Sequence, residues 1–171
     1  MRKLEEEFFL AEELLRITAK EVHYLERTRI RLISHQINLD WVNSLANSDA
    51  YSDAYSDILD AFVARFGRLQ DRLGGKLLPT LLRLNMEKVG SQLDNLTLAE
   101  KLGWLSSTDD WIELRGLRNL LIHEYLQSPS DLLKPLLQAL EAVSLLGQVH
   151  LRLSQAFAAI QAKAQITVPA S

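Results

Sequence analysis

The sequence predicts an all-α protein, an antiparallel up-and-down four-helix bundle with one extra short helix. Three observations carry that prediction. Leu, Ala, Glu, Gln and Arg, all strong helix formers, dominate, whereas Gly occurs 7 times and Pro 4 times in 171 residues. Apolar residues recur at three- and four-residue intervals along almost the whole chain, and β-branched runs are nearly absent. The connections between the long periodic segments are short, which favours antiparallel neighbours.

The first helix is expected over residues 3–37. Leu4, Phe8, Ala11, Leu15, Thr18, Val22, Leu25 and Leu32 form one stripe, and Glu5, Glu6 and Glu7 sit where the positive end of the helix dipole favours acids. Residues 38–52 are polar and mixed. They hold a doublet, Ala50-Tyr51-Ser52-Asp53 and Ala54-Tyr55-Ser56-Asp57, which reads as a loop entering a helix with Ser52 or Asp53 as cap. The second helix is expected over 53–73 on Ile58, Phe62, Phe66 and Leu69. Gly74-Gly75 should break or kink it, and Lys76 to Leu84 should continue it, with Pro79 near the first turn. A shorter helix is expected over 95–105, with Thr97 and Glu100 as a capping box. A third main helix should start at Asp109 or Asp110 and run through Trp111, Leu114, Leu117 and Leu121 to Ser128-Pro129-Ser130. The last should cover about 131–163 on Leu133, Leu136, Leu140, Val143, Leu146 and Leu153, with an irregular first turn at Pro135.

The bulk properties bound the function. The length suits one domain, 1–165, followed by a flexible tail, 166–171. Hydrophobic residues make up 47% and charged residues 24%, a globular balance. The chain has no cysteine. Disulfides and thiolate metal sites are therefore excluded, and a reducing cytoplasm is the simplest home. No stretch is apolar enough to span a membrane, and Met1-Arg2-Lys3-Leu4-Glu5-Glu6-Glu7 lacks the apolar block of a secretory leader. A net charge of −3 argues against a general nucleic-acid coat but leaves room for a local basic site.

One stretch stands apart: Leu117-Arg118-Asn119-Leu120-Leu121-Ile122-His123-Glu124-Tyr125. It is apolar enough to be core, yet it carries a guanidinium, an amide, an imidazole and a phenol. Arg118 and Tyr125 are two turns apart, and Asn119 and His123 one turn apart, so each pair shares a face of a helix. Arg115 adds charge to that side. His123 is the nearby group whose ordinary pKa lies near neutrality, as acid–base work requires. Arg118 can hold a phosphate with two parallel bonds. Arg65, Arg68, Arg72 and Lys76 form a basic stripe on the second helix, either a solvated face or a track for an RNA backbone. His23, His35 and His150 lack ligand spacing, so no metal site is expected. There is also no P-loop, dinucleotide loop or nucleophile elbow.

Arg-x4-His-x-Tyr with Asn directly after the Arg resembles the signature of HEPN proteins of the HepT toxin type, and Gly116 to Tyr125 fits it without a gap. Asp60-Ala61-Phe62-Val63-Ala64-Arg65-Phe66-Gly67-Arg68-Leu69-Gln70-Asp71 is similar to the second helix of nucleotidyltransferase-associated members. The resemblance implies a HEPN-like bundle and a metal-independent endoribonuclease without cofactor. It would be a homodimer in which two motifs face one cleft and leave a 2′,3′-cyclic phosphate. Arg118 and His123 would then be catalytic and Asn119 supporting, with Arg115, Arg65, Arg68 and Arg72 as RNA or phosphate contacts. It further implies a cognate small nucleotidyltransferase antitoxin that transfers AMP to Tyr125. Two other readings stay open: a non-catalytic substrate- or nucleotide-binding partner of a small nucleotidyltransferase, and a plain helical interaction protein. A structural role stays open for each motif residue too: an interhelical ion pair for Arg118, a carbonyl-bonded edge histidine for His123, a helix-end aromatic for Tyr125.

Overall fold

The computed structural model describes residues 2–127 and 129–167, with side chains for all of these except 124–127, 129 and 165–167. Every regular element among them is helical: α1 Arg2–Ile33, α2 Leu39–Ser44, α3 Ala50–Arg72, a π-helical turn Leu73–Leu77, α4 Leu78–Leu84, α5 Gln92–Lys101, α6 Thr108–Gln127 and α7 Pro129–Thr167. No helix among the described residues is long and apolar enough to cross a membrane.

The long helices pack in a closed order. α1 lies on α3 and α7, and α6 lies on α7 and α3. Cross-helix pairs show that α1 runs opposite to its neighbours. Thr28 meets Arg65, Glu21 meets Arg72 and Glu7 meets Arg83 along α3 and α4. Thr18 meets His150 and Glu12 meets Gln161 along α7. Between them Leu25, Leu32, Phe62, Phe66, Leu69, Leu73, Leu121 and Leu136 are fully buried. These are the residues that the 3.6-residue period assigns to inward faces.

Several boundaries differ from the sequence expectation, each for a local reason. Residues 39–44 form a helix, because the Asn38 side chain accepts from the Trp41 amide and Trp41 and Val42 bury themselves. α3 is capped by Asp49, whose carboxylate accepts from the Tyr51 and Ser52 amides, and not by Ser52 or Asp53. Ser52 instead donates to the Ser44 carbonyl and to Asp49. Gly74-Gly75 does not break the chain's helix. The extra residue is absorbed as a π turn, and α4 follows directly. α5 starts earlier than expected, with Ser91 and Asp94 as its capping box instead of Thr97 and Glu100. Glu100 accepts from the Thr108 amide and so ties α5 to the start of α6. Ser107, not Asp109 or Asp110, caps α6, its hydroxyl accepting from the Asp110 amide. α7 begins at Pro129, which leaves Pro135 inside it with one backbone hydrogen bond removed. Of the expected tail, 166 and 167 continue α7 and 168–171 lie outside the described residues, as does Ser128 before α7.

The π turn fixes how α6 sits. Gly74 lies against the Trp111 indole so closely that a Cβ there would fall 2.6 Å from Cζ2. A glycine in the wider π turn lets the tryptophan of the first turn of α6 pack on bare backbone. That contact sets the height of everything downstream on α6, including residues 115–123.

Candidate functional site

α6 is apolar around much of its circumference, and its two faces do different things. Trp111, Leu114 and Leu121 are buried and seat it on the core. The opposite side is open: Ile112, Arg115, Gly116, Asn119, Leu120 and His123 are all exposed. Ile112 and Leu120 on this face leave 46% and 48% of their surface in solvent.

Arg118 stands at the boundary. It turns from α6 towards α3, where Nη2 donates to Asp71 Oδ2 at 2.9 Å. Nη1 donates to Asn119 Oδ1 at 3.0 Å. Nε is buried without a partner. Room for the side chain comes from Gly67, whose missing Cβ would stand 3.4 Å from Nε. Gly67 and Asp71 are one turn apart on α3, so one face of that helix supplies both the slot and the counter-charge. The bond from Arg118 orients the Asn119 amide, leaving its NH₂ to donate outward.

Two clefts meet at Arg118. One, of about 370 Å³, is lined by Asp60, Val63, Ala64, Gly67, Arg68, Asp71, Arg118 and Ile122 between α3 and α6. The other, of about 130 Å³, is lined by Gln70, Asp71, Gln92, Trp111, Arg115, Arg118 and Asn119 between α3, α5 and α6. Arg115 Nη1 donates to Gln92 Oε1 at 2.6 Å across its mouth.

His123 lines neither cleft and lies on the exposed face of α6. The five-residue spacing explains this. At about 100° per residue, Arg118 and His123 diverge by about 140° around the axis, with a rise of about 7.5 Å. Asn119 stands between them, about 40° from His123. One chain therefore brings Arg118 and Asn119 together, and Asn119 and His123, but does not aim Arg118 and His123 into one crevice. The expectation that Tyr125 shares the face of Arg118 concerns a side chain outside the described residues.

The basic stripe of α3 divides. Arg68 is exposed and lines the larger cleft. Arg65 donates to Thr28 and its guanidinium lies 5.7 Å from the centre of the Tyr24 ring. Arg72 pairs with Glu21. Both are drawn onto α1, so of the three only Arg68 joins Arg115 and Arg118 beside the clefts. Among the described residues no three His, Asp or Glu side chains converge as a metal ion would require.

The sequence alone assigns no role to Asp71, Gly67, Gln70 or Gln92. Gly67 followed by Asp71 one turn later is a signal, since a helical glycine beside an acid suits a long basic side chain from a neighbour. Periodicity does not say which neighbour. Compared with protein-family models, with curated proteins and with solved structures, the chain matches none.

Proposed function

We propose that the chain is a HEPN-type, metal-independent endoribonuclease whose working site is completed by a second copy of itself. The closed order of four long helices is read as the up-and-down bundle of that family. The observation that carries the reading is the open face of α6. It exposes His123 one turn from Asn119, on the face that also exposes Ile112, Arg115 and Leu120. A second copy laid on this face would cover the apolar residues and bring a second imidazole to the first. The chemistry then has what it needs. One His123 takes the proton from a 2′-hydroxyl, and the other protonates the leaving 5′-oxygen. Arg118 and Arg115 hold the charge that builds on the phosphate.

The test is cleavage of single-stranded RNA in the presence of a chelator, with mass spectrometry of the ends. Wild type should leave 2′,3′-cyclic phosphate and His123→Ala should not cut. Equal cutting by both, or a requirement for metal, defeats the proposal. Within the same reading, co-expression with a small nucleotidyltransferase should add AMP to Tyr125.

A second reading is favoured by one observation. Asp71 already balances Arg118, which suits a subunit that binds a nucleotide-bearing partner and cleaves nothing. It predicts binding to a small nucleotidyltransferase that His123→Ala leaves unchanged, with no RNA cleavage by wild type.

A further inference from the structure

The smaller cleft beside Arg118 contains an anomaly. Gln70 is only 3% exposed, and both Oε1 and Nε2 are without a hydrogen-bond partner. A buried carboxamide with neither end paired costs stability and calls for an explanation. It cannot be dismissed as a misplaced amide, since exchanging the two atoms leaves both unpaired. Gln70 lines the cavity of about 130 Å³ that opens next to the guanidinium of Arg118, with its carboxamide shut off from that space in this conformation, so a ligand engages both ends once the side chain turns towards the cavity.

The remaining lining says what would fit. Gln92 has its oxygen occupied by Arg115, and Asn119 has its oxygen occupied by Arg118, so both offer NH₂ donors. Asp71 gives Oδ2 to Arg118 and presents a carboxylate edge as acceptor. The cavity thus mixes donors and acceptors. An anion site carries donors alone, and a phosphate placed here would meet the Gln70 oxygen and the Asp71 carboxylate. A neutral ligand with a donor and an acceptor side by side meets no such conflict. The adjoining Arg115 and Arg118 would hold an anionic group attached to that ligand at the mouth.

We propose that this cavity is a nucleobase subsite, with the Gln70 carboxamide reading a base whose pairing edge sets an exocyclic amino group beside an unprotonated ring nitrogen, adenine or cytosine. The inference rests on the ribonuclease reading for the RNA that would bring the base there. Nε2 donates to the ring nitrogen, and Oε1 accepts one amino N–H. Asp71 accepts from the second amino hydrogen and repels the carbonyl oxygens of uracil. A glutamine paired with a base edge in this way typically discriminates by about tenfold or more.

The test titrates wild type with 5′-AMP, 5′-CMP, 5′-UMP and inorganic phosphate, following the side-chain NH₂ resonances of Gln70 by NMR. AMP or CMP should move those resonances and bind about tenfold tighter than UMP, and inorganic phosphate should leave them in place. Gln70→Leu, similar in size and lacking the unpaired atoms, should fold as well as wild type and bind all three nucleotides alike. Resonances that never move, equal binding of the three nucleotides by wild type, or a shift with inorganic phosphate alone would overturn the subsite. His123→Ala separates the two proposals, because it should keep the base preference while losing cleavage. Base preference in a wild type that cuts nothing removes the ribonuclease and leaves the subsite. Cleavage with no base preference, unaltered by Gln70→Leu, removes the subsite and leaves the ribonuclease.

Discussion

Replacing Gly74 with alanine should destabilise the protein, although alanine is the better helix former. A Cβ at Gly74 would stand 2.6 Å from Trp111 Cζ2 and 3.1 Å from Cε2. Carbon atoms prefer about 3.5–4.0 Å, so the indole must retreat by about 1 Å. It has little room to do so: Trp111 is 2% exposed, and the void beside it, walled by Leu96, Leu105, Val149 and Leu153, is only about 10 Å³. Overpacking of this kind costs about 1–3 kcal/mol, and alanine's helical advantage returns at most about 1 kcal/mol. The net cost should be about 1–2 kcal/mol. Gly75 is the control, since a Cβ there meets nothing within 4 Å. Gly75→Ala should stabilise by about 0.5–1 kcal/mol. Urea unfolding reads both as shifts in midpoint at constant slope. Pairing Gly74→Ala with Trp111→Val should remove most of the penalty, because the contacting ring is gone. Equal stability of Gly74→Ala and Gly75→Ala would refute the claim that Trp111 rests on bare backbone at the π turn. The stakes reach the site, since Trp111 sets the position of the helix that carries Arg118 and His123.

Other outcomes follow from single contacts. Asp71→Asn should change stability by less than about 1 kcal/mol, because the Arg118 pair is solvent-exposed on the carboxylate side. It should nonetheless strengthen RNA binding and steepen its salt dependence by about one contact, measured by fluorescence anisotropy across salt concentrations; weaker binding would mean that Asp71 orients Arg118 more than it neutralises it. His150 contacts the Thr18 hydroxyl, which already donates to a backbone carbonyl of α1, and burial holds its pKa below the ordinary value of 6.5. The unfolded chain therefore takes up the proton first as pH falls. The His150 contribution is complete above about pH 6.5 and is lost on acidification through the lower folded value. Urea midpoints should fall between pH 7 and pH 5 for wild type and fall less for His150→Gln; parallel falls would assign the acid sensitivity elsewhere.

The helical class was legible because burial follows a 3.6-residue period that local sequence displays directly. Ala11, Leu25, Phe62, Phe66, Leu121 and Leu136 are buried on inward stripes. The ends of the elements were less legible, since several residues competed for each cap. Asp49 prevails over Ser52 because it reaches two amides while Ser52 is engaged with Ser44. Gly74-Gly75 reads as a helix breaker on propensity alone, and only the indole of Trp111, 37 positions onward, gives the pair its place inside a continuous helix. At the site, the motif's position on one helix was plain from its setting. The partners of Arg118 were not: Asp71 and Gly67 come from another helix, and local periodicity carries no information about which helices meet. The divergence of Arg118 and His123 could have been read from their five-residue spacing, which is not a whole number of turns.

Mixing wild type with His123→Ala tests the shared two-copy site most directly. The two purified proteins are combined in varied ratio, allowed to exchange subunits and assayed for RNA cleavage. Each working site needs His123 from both copies, so activity should fall as the square of the wild-type fraction. A fall in simple proportion to that fraction, from a wild type shown to be active, would contradict a site assembled across two chains.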